Sequence, residues 1–315
     1  MARTLEYNAT LVAREDLSKY LAVFKVEPDT PIPEGRWFVP GQYLTLGLNN
    51  EAQPELGSVR RAMSIASAPQ QRGTIDFYIR YVNHPESDNP LTHLLWQMKP
   101  GDRMCMTTRA VGKFTLDDTV AADDPRLKIF VAAGTGLAPF TSIVDADLAA
   151  DPKARLDRYV LLHGASYPNE LGYREHLERV AREHGLHYLP TVSRPHEAPE
   201  WTGYGGRVED FFAADRIEQT ERAIGVEPGS LGPDSAVIYI CGLTGTIAMT
   251  IERTLARGFV PFHRKIRRAL GFDDGLESTI YYEQYDSEPV LRVRDPDELT
   301  RLKALLPPAP LPPLA

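Results

Sequence analysis

The chain has 315 residues, more than one hydrophobic core usually supports, so two domains of ordinary size are expected. Hydrophobic residues make up 43% and charged residues 25%, the balance of a soluble globular protein, and a net charge of −8 argues against nucleic acid as the main ligand. Only two cysteines occur, Cys105 and Cys241, which excludes both a disulfide framework and a four-cysteine iron–sulfur cluster built from this chain alone.

From residue 5 to about 120, short strands alternate with turns: Leu5–Ala13, Tyr20–Glu27, Gln42–Leu48 and Ile75–Val82. The last alternates, with Ile75, Phe77, Ile79 and Tyr81 on one face and Asp76, Tyr78 and Arg80 on the other. One helix, Thr92 to Met98, is opened by Pro90 and closed by Pro100 and Gly101. The pattern is that of an antiparallel barrel with one inserted helix. The character changes at the acidic, proline-containing link Ala121–Arg126. Beyond it come Lys128–Ala133, a helix from Leu137, Tyr159–His163, a helix near Glu170–His184, Leu186–Val192, Ala236–Cys241 and a helix from about Gly245 to Arg257. Such alternation predicts a parallel sheet flanked by helices, with ligands at the carboxyl ends of the strands. The basic run Arg264, Lys265, Arg267 and Arg268 is a candidate local basic patch, although a charge run is usually only a solvated face. A helix over Pro296–Leu306 precedes PPAPLPPLA, which cannot pack as helix or sheet interior and is expected to be a disordered tail. The expected boundaries are 1–122 for the barrel, 123–285 for the α/β domain and 286–315 for a carboxyl-terminal extension.

No apolar run approaches the ~20 residues that cross a bilayer, and MARTLEYNAT lacks the apolar core of a secretory signal. Cytoplasmic residence without a membrane partner is expected. The eight histidines show no HExxH or Cys/His ligand spacing, so no metal is predicted.

Four stretches carry chemistry. RAMSIASAP, Arg61 to Pro69, starts an apolar strand with an arginine and carries Ser64 and Ser67. NPLTHLL, Asn89 to Leu95, puts Thr92 at a helix start, where unpaired amides hold phosphate oxygens well. AAGTGLAPF, Ala132 to Phe140, follows a buried strand with glycines that allow a tight turn and close approach of a ligand, though it is not GxGxxG. ICGLTGT, Ile240 to Thr246, again reads strand, glycine turn, helix. Any one of them alone is equally well an ion-paired arginine, an ordinary N-cap or a structural turn.

Together, in this order and spacing, they resemble the ferredoxin–NADP reductase family from about Leu5 to Tyr285. The family pattern is an arginine–x–tyrosine–serine flavin motif, a phosphate-binding helix start, a GTGxxPF turn and a CG turn, ending on a glutamate and an aromatic residue. Here these look like Arg61–Ser64, Pro90–Thr92, Gly134–Phe140, Cys241–Gly242 and YYEQY, Tyr281 to Tyr285. The resemblance implies an N-terminal antiparallel β-barrel of Greek-key type that binds FAD, followed by an α/β parallel-sheet domain that binds NADP(H). Arg61, Ala62 and Met63 with the helix start Pro90, Leu91 and Thr92 would hold FAD, the arginine and the amides taking its pyrophosphate. Ser64 would sit near flavin N5. Met63 stands where the family has tyrosine, and its polarizable sulfur can still pack against the flavin.

On the second domain Gly134, Thr135, Gly136 and Pro139 would receive the dinucleotide diphosphate and nicotinamide end. Cys241 and Gly242 would line the nicotinamide pocket, the cysteine as a small buried group and not as a nucleophile. Ser193 and Arg194 of TVSR resemble the 2′-phosphate site, with Arg207 as a second cation and Tyr204 placed to stack on adenine. Ser166 stands where a bacterial subgroup has another arginine. Glu283 is expected to position or transfer a proton, and Tyr285 to lie against the flavin face. The implied activity is electron exchange between NADPH and ferredoxin or flavodoxin, a ferredoxin–NADP(+) reductase reaction. The alternatives are an NADH-dependent reductase component of an oxygenase and a flavin-binding regulatory protein without turnover.

Overall fold

The structure is a computed structural model and describes residues 4–307. The expected tail lies, beyond Pro307, outside the described residues. The chain forms two compact units. One holds the residues up to Asp123 together with Gly134–Arg155 and Ser166–Glu175; the other holds Asp124–Ala133, Leu156–Ala165 and the residues from His176 on.

The first unit is built on six antiparallel strands, β1 (Ala9–Ser18), β2 (Leu21–Pro28), β3 (Tyr43–Asn49), β4 (Ser58–Ser64), β5 (Ile75–Arg80) and β6 (Arg103–Met106), in the order β4-β3-β6-β1-β2-β5. A bridge between Ile65 and Phe77 joins the two ends of this order, so the sheet curls into a barrel. Period-two alternation turns Leu11, Phe24, Leu44, Leu46, Phe77 and Met104 into its core. Helix α1 (Leu91–Gln97) plugs the barrel with Leu91 and Leu95. Helix α2 (Ala138–Ala150) lies against the segment that follows β4, where the Thr141 and Ser142 hydroxyls donate to the Ala66 and Ser67 carbonyls at 3.1 and 2.7 Å.

The second unit has six strands, β7 (Leu127–Ala133), β8 (Tyr159–Ala165), β9 (His187–Val192), β10 (Tyr204–Gly205), β11 (Ala236–Gly242) and β12 (Ile280–Gln284), all paired in parallel in the order β10-β9-β8-β7-β11-β12. Every residue of β11 is buried, as a parallel strand covered on both faces requires. Helices α3 (Arg174–His184), α4 (Ile217–Ala223), α5 (Thr244–Leu255), α6 (Arg264–Leu270) and α7 (Pro296–Ala304) complete the fold. Helix α5 turns Ile247, Ile251 and Leu255, four residues apart, onto the core. No helix among the described residues is long and apolar enough to cross a membrane.

Four local expectations need correction. Strand β5 is buried on both faces, because the segment Ser166–Glu175 packs Tyr173 edge-on against Tyr78 at 5.6 Å and Asp76 receives Lys25 at 2.8 Å. The helix expected near Glu170 begins only at Arg174, since Tyr173 takes the left-handed φ of +58° and breaks the chain direction. The basic run is helix α6 and is not wholly solvated. Arg267 is buried and donates to Ser278 and to the Asp273 and Leu276 carbonyls. Strands β6 and β10 and helix α4 were not expected at all, being too short to show a period.

The second unit begins on an ion cluster. Asp124 takes Arg126 at 2.5 Å and Lys128 at 3.3 Å, and the Arg126 guanidinium holds its carboxyl down to about 2. Its contribution is complete above the unfolded pKa of 3.8 and is lost as pH falls toward 2. On β8, His163 is fully buried with Nδ1 3.0 Å from the Tyr188 hydroxyl, and burial pushes it down to about 3 from 6.5. The folded state thus keeps this ring neutral while the unfolded chain protonates it, so stability is lost as pH falls from 6.5 toward 3. Chemical denaturation from pH 7 to 4 should show His163→Gln with a shallower loss than the wild type. Asp124→Asn, which leaves the buried Lys128 without a carboxylate and Arg126 with only the exposed Glu277, should cost about 3–5 kcal/mol at pH 7.

Candidate functional site

Three groups of side chains stand out, and each is best built from its own strand ends. In the first unit, β4 is the outer partner of β3, with Arg61 opposite Leu46 and Ser64 opposite Tyr43. Arg60, Arg61 and Ala62 are exposed in succession, Met63 packs partly onto the barrel core, and Ser64 is buried. The Arg61 guanidinium donates to the Arg60 carbonyl at 2.8 Å and meets no carboxylate among the described residues. Beside β3 and β4 runs α1. Its approach is set by Asn89, whose side chain accepts from Asn50 at 3.0 Å and donates to the Leu56 carbonyl at 3.2 Å. Pro90 supplies the N-cap position, and the Thr92 hydroxyl is taken by the Val82 amide at 3.4 Å. Arg61 thus brings a guanidinium that meets no carboxylate among the described residues, and the helix start brings the first-turn amides of Leu91 and Thr92, residues that are themselves buried; these are donor types suited to a pyrophosphate. The residues present therefore fit the FAD that the sequence pattern implies.

Also in this unit is the turn that follows β7. Gly134 has φ +56°, a conformation that disfavours any side chain, and it opens a short 3-10 turn, Gly134–Leu137, that leads into α2 with Pro139 in its first turn. A methyl group at Gly134 would meet only Arg80 Nε, 3.9 Å away. Arg80, at the end of β5, was not among the expected site residues. Its one signal in the sequence was the polar alternation of that strand.

The second group lies at the carboxyl edge of the parallel sheet. Register puts Cys241 between Ala132 of β7 and Glu283 of β12, with Gly242 opposite Gln284. A side chain at Gly242 would reach within 3.0 Å of Ala133 Cβ, so glycine is what lets β11 end there. The Cys241 thiol donates to the Tyr285 hydroxyl at 3.3 Å, and the Tyr285 amide donates to the Gly242 carbonyl. Burial, with Glu283 nearby, pushes the thiol well above its ordinary range, so it stays protonated. Tyr285 is 44% exposed. The next residue, Asp286, accepts from the Thr244 amide at 2.9 Å and also from the Thr244 hydroxyl, closing the start of α5. Gln284 Nε2 joins this cluster at 2.6 Å from Asp286 and 2.8 Å from the Thr244 hydroxyl.

The third group is a cavity of about 570 Å³ at the ends of β9 and β10. Ser193, Tyr204 and Arg207 line it, as do Arg216, Gln219 and Thr220 from α4 and its approach. Tyr204 is fixed by parallel pairing with Thr191, by Trp201 donating to its carbonyl at 2.8 Å, and by Phe211 edge-on at 5.1 Å. Arg207 is 73% exposed and its nearest carboxylate, Glu209, is 3.9 Å off. Arg216 donates to the Gly205 carbonyl at 2.5 Å and meets no carboxylate among the described residues. Below the cavity, Asp210 accepts from the Arg207 amide at 2.7 Å and from Arg253 at 2.8 Å, which fixes the turn that presents Arg207. Arg194, expected here as the leading cation, follows Ser193 in the chain but does not line the cavity. Arg216, which does, carried no motif.

Two family models match the chain: one described as an oxidoreductase FAD-binding domain over residues 8–115, the other as an oxidoreductase NAD-binding domain over residues 130–252. Ferredoxin–NADP reductase B of Sorangium cellulosum is 31% identical over 271 residues, 84% of this chain and 97% of that protein. The phenol hydroxylase P5 protein of Acinetobacter pittii is 29% identical over 210 residues, 66% of this chain and 53% of that longer protein. Among solved structures, a ferredoxin NADP+ reductase from Neisseria gonorrhoeae with bound FAD and NADP superposes with a TM-score of 0.68 at 23% identity. It covers 88% of this chain and 97% of its own, a likeness of fold.

The Asp286 cap makes a prediction of its own. Asp286→Ala should destabilise the protein by about 1 kcal/mol and speed hydrogen exchange at the Thr244 amide, measured by thermal unfolding and exchange mass spectrometry.

Proposed function

The chain belongs to the ferredoxin–NADP reductase family and carries its FAD-binding and NAD-binding domains; on that premise we propose that it exchanges electrons between NADPH and a one-electron carrier, ferredoxin or flavodoxin. The observation that carries the coenzyme assignment is the cavity beside β9, which Arg207 and Arg216 line with Ser193, Arg207 having only the long 3.9 Å pair with Glu209 and Arg216 donating to the Gly205 carbonyl. Two guanidinium groups beside a hydroxyl suit a phosphate monoester, which NADPH has on its adenosine ribose and NADH lacks. Tyr204 supplies the flat surface for adenine.

When bound, FAD accepts a hydride equivalent and passes electrons on singly, chemistry that no side chain here supplies. The chain's own residues bind and orient. Arg61 and the α1 amides take the cofactor pyrophosphate, with Ala62, Met63 and Pro90 shaping the surface around it. Ser64, buried at the end of β4, offers its hydroxyl to the reacting edge. Gly134, Thr135, Gly136 and Pro139 accept the coenzyme diphosphate. Cys241 and Gly242 leave a small, uncharged wall for nicotinamide. The protonated thiol is a donor to Tyr285 and no nucleophile, while Glu283 beside it in the register is the carboxylate available for proton transfer. Tyr285 offers its exposed ring as the stacking surface that nicotinamide must displace.

A second reading, the reductase component of an oxygenase that uses NADH, is favoured by the likeness to the phenol hydroxylase P5 protein. Steady-state reduction of ferredoxin or flavodoxin, compared with NADPH and NADH as donors, separates them. Turnover with NADPH supports the first reading, and turnover with NADH alone supports the second.

Four variants test the site. Arg61→Ala should be purified with most of its FAD lost, read from the flavin-to-protein absorbance ratio. Full retention would remove Arg61 from the cofactor site. A charge-assisted hydrogen bond is worth about 1.5–3 kcal/mol, so Arg216→Ala and Arg207→Ala should each raise the NADPH KM by about one to two powers of ten. Their NADH kinetics should hardly move, and Arg194→Ala should have the smaller effect.

A further inference from the structure

Arg80 lies beside the Gly134 turn, its Nε 3.9 Å from where a Cβ at Gly134 would stand, and it is already engaged. Its guanidinium faces the Glu170 carboxylate in a two-point pair, Nη2 to Oε2 at 3.1 Å and Nη1 to Oε1 at 3.4 Å. Glu170 is buried, and Oε2 also accepts from the Ser166 amide at 3.3 Å. The segment that carries it is shaped to deliver it. The Tyr78 hydroxyl donates to the Glu170 carbonyl at 3.2 Å and accepts from the Gly172 amide at 3.1 Å. A side chain at Gly172 would strike that hydroxyl, and Tyr173 directly after it takes the left-handed conformation. A strained, closely fitted strap therefore serves to hold one carboxylate against the arginine beside Gly134.

We propose that Glu170 is a positioning residue that partly neutralises Arg80, so that the Gly134 turn binds the coenzyme diphosphate less tightly than its own arginine would allow. The proposal rests on the reading that the diphosphate sits at this turn. An arginine shared with a buried carboxylate keeps its orientation, because the pair fixes the plane of the guanidinium, but offers an incoming anion less net positive charge. The effect belongs to the diphosphate, common to NADPH and NADH, and not to the 2′-phosphate. Moderate affinity favours release of the spent coenzyme, a step that often limits turnover.

The test uses the FAD-loaded full chain and measures dissociation constants for NADP+ and NAD+ by difference spectroscopy, with adenosine 2′-monophosphate as a ligand that lacks the diphosphate. Glu170→Gln keeps the shape and the acceptor for Ser166 while removing the charge. It should tighten NADP+ and NAD+ by similar factors, about three- to tenfold, steepen the salt dependence of both, and leave adenosine 2′-monophosphate unchanged. Glu170→Asp, which restores the charge, should return toward wild-type affinity, and Arg80→Gln should weaken both dinucleotides. Unchanged or weaker dinucleotide binding in a folded Glu170→Gln would overturn the proposal alone. A shift for adenosine 2′-monophosphate equal to that for the dinucleotides would do the same. A wild type that binds neither dinucleotide would overturn the reading it rests on as well.

Discussion

Parallel strands buried on both faces, as β7, β8 and β11 are, can show polar chemistry only where they end, and in a parallel sheet they all end along one edge. That constraint arranges most of the candidate site in the second unit. Ser193 follows β9, the Cys241–Gly242 pair closes β11, and Glu283 and Tyr285 stand at the end of β12. The strands also fix what may stand at the edge. Gly242 is needed because any side chain would press on Ala133, and Cys241 stays protonated because the core buries it. The barrel works by the opposite logic. Its chemistry lies on exposed backbone of an outer strand, where Arg61 is turned away from a core that has no use for it.

The sequence made legible those parts in which one local rule dominates. Buried strands of the parallel sheet appear as apolar runs, and glycine turns after them mark where ligands approach; β7, β8, β9 and β11 were therefore placed within a residue or two. The cation set of the cavity was only half legible. Arg207 belongs to a recognisable run, whereas Arg216 reaches the same space from the approach to a seven-residue helix that has no motif and too few turns to show a period. Arg194 enters through the likeness of TVSR to the family's 2′-phosphate site, whereas in the structure it caps the 3-10 turn Pro195–Glu197 and only Ser193 of the pair lines the cavity. Burial of Tyr78 and Asp76 was hidden because the segment that covers β5 comes nearly a hundred residues later.

The carboxyl-terminal extension shows a similar limit. Residues 286–307 do not trail away from Tyr285. Val290, Leu291 and Leu302 are buried in the core of the second unit, and Arg301 pairs with Glu252 of α5 at 2.8 Å. Tyr285 is therefore an internal residue, pinned by the Gly242 carbonyl on one side and by the Asp286 cap on the other. A ring so held can turn about its own side-chain torsions, but its backbone lacks the freedom of a chain end. That difference bears on how readily nicotinamide can replace it.

Anaerobic addition of NADPH to the flavin-loaded protein is the sharpest test of the proposal that this chain moves electrons from NADPH through FAD. The yellow flavin absorbance should bleach within seconds, NADH should bleach it far less effectively, and added ferredoxin or flavodoxin should restore the colour as it becomes reduced. A flavin spectrum unchanged by both coenzymes would contradict the proposal and leave a protein that binds flavin without turning it over.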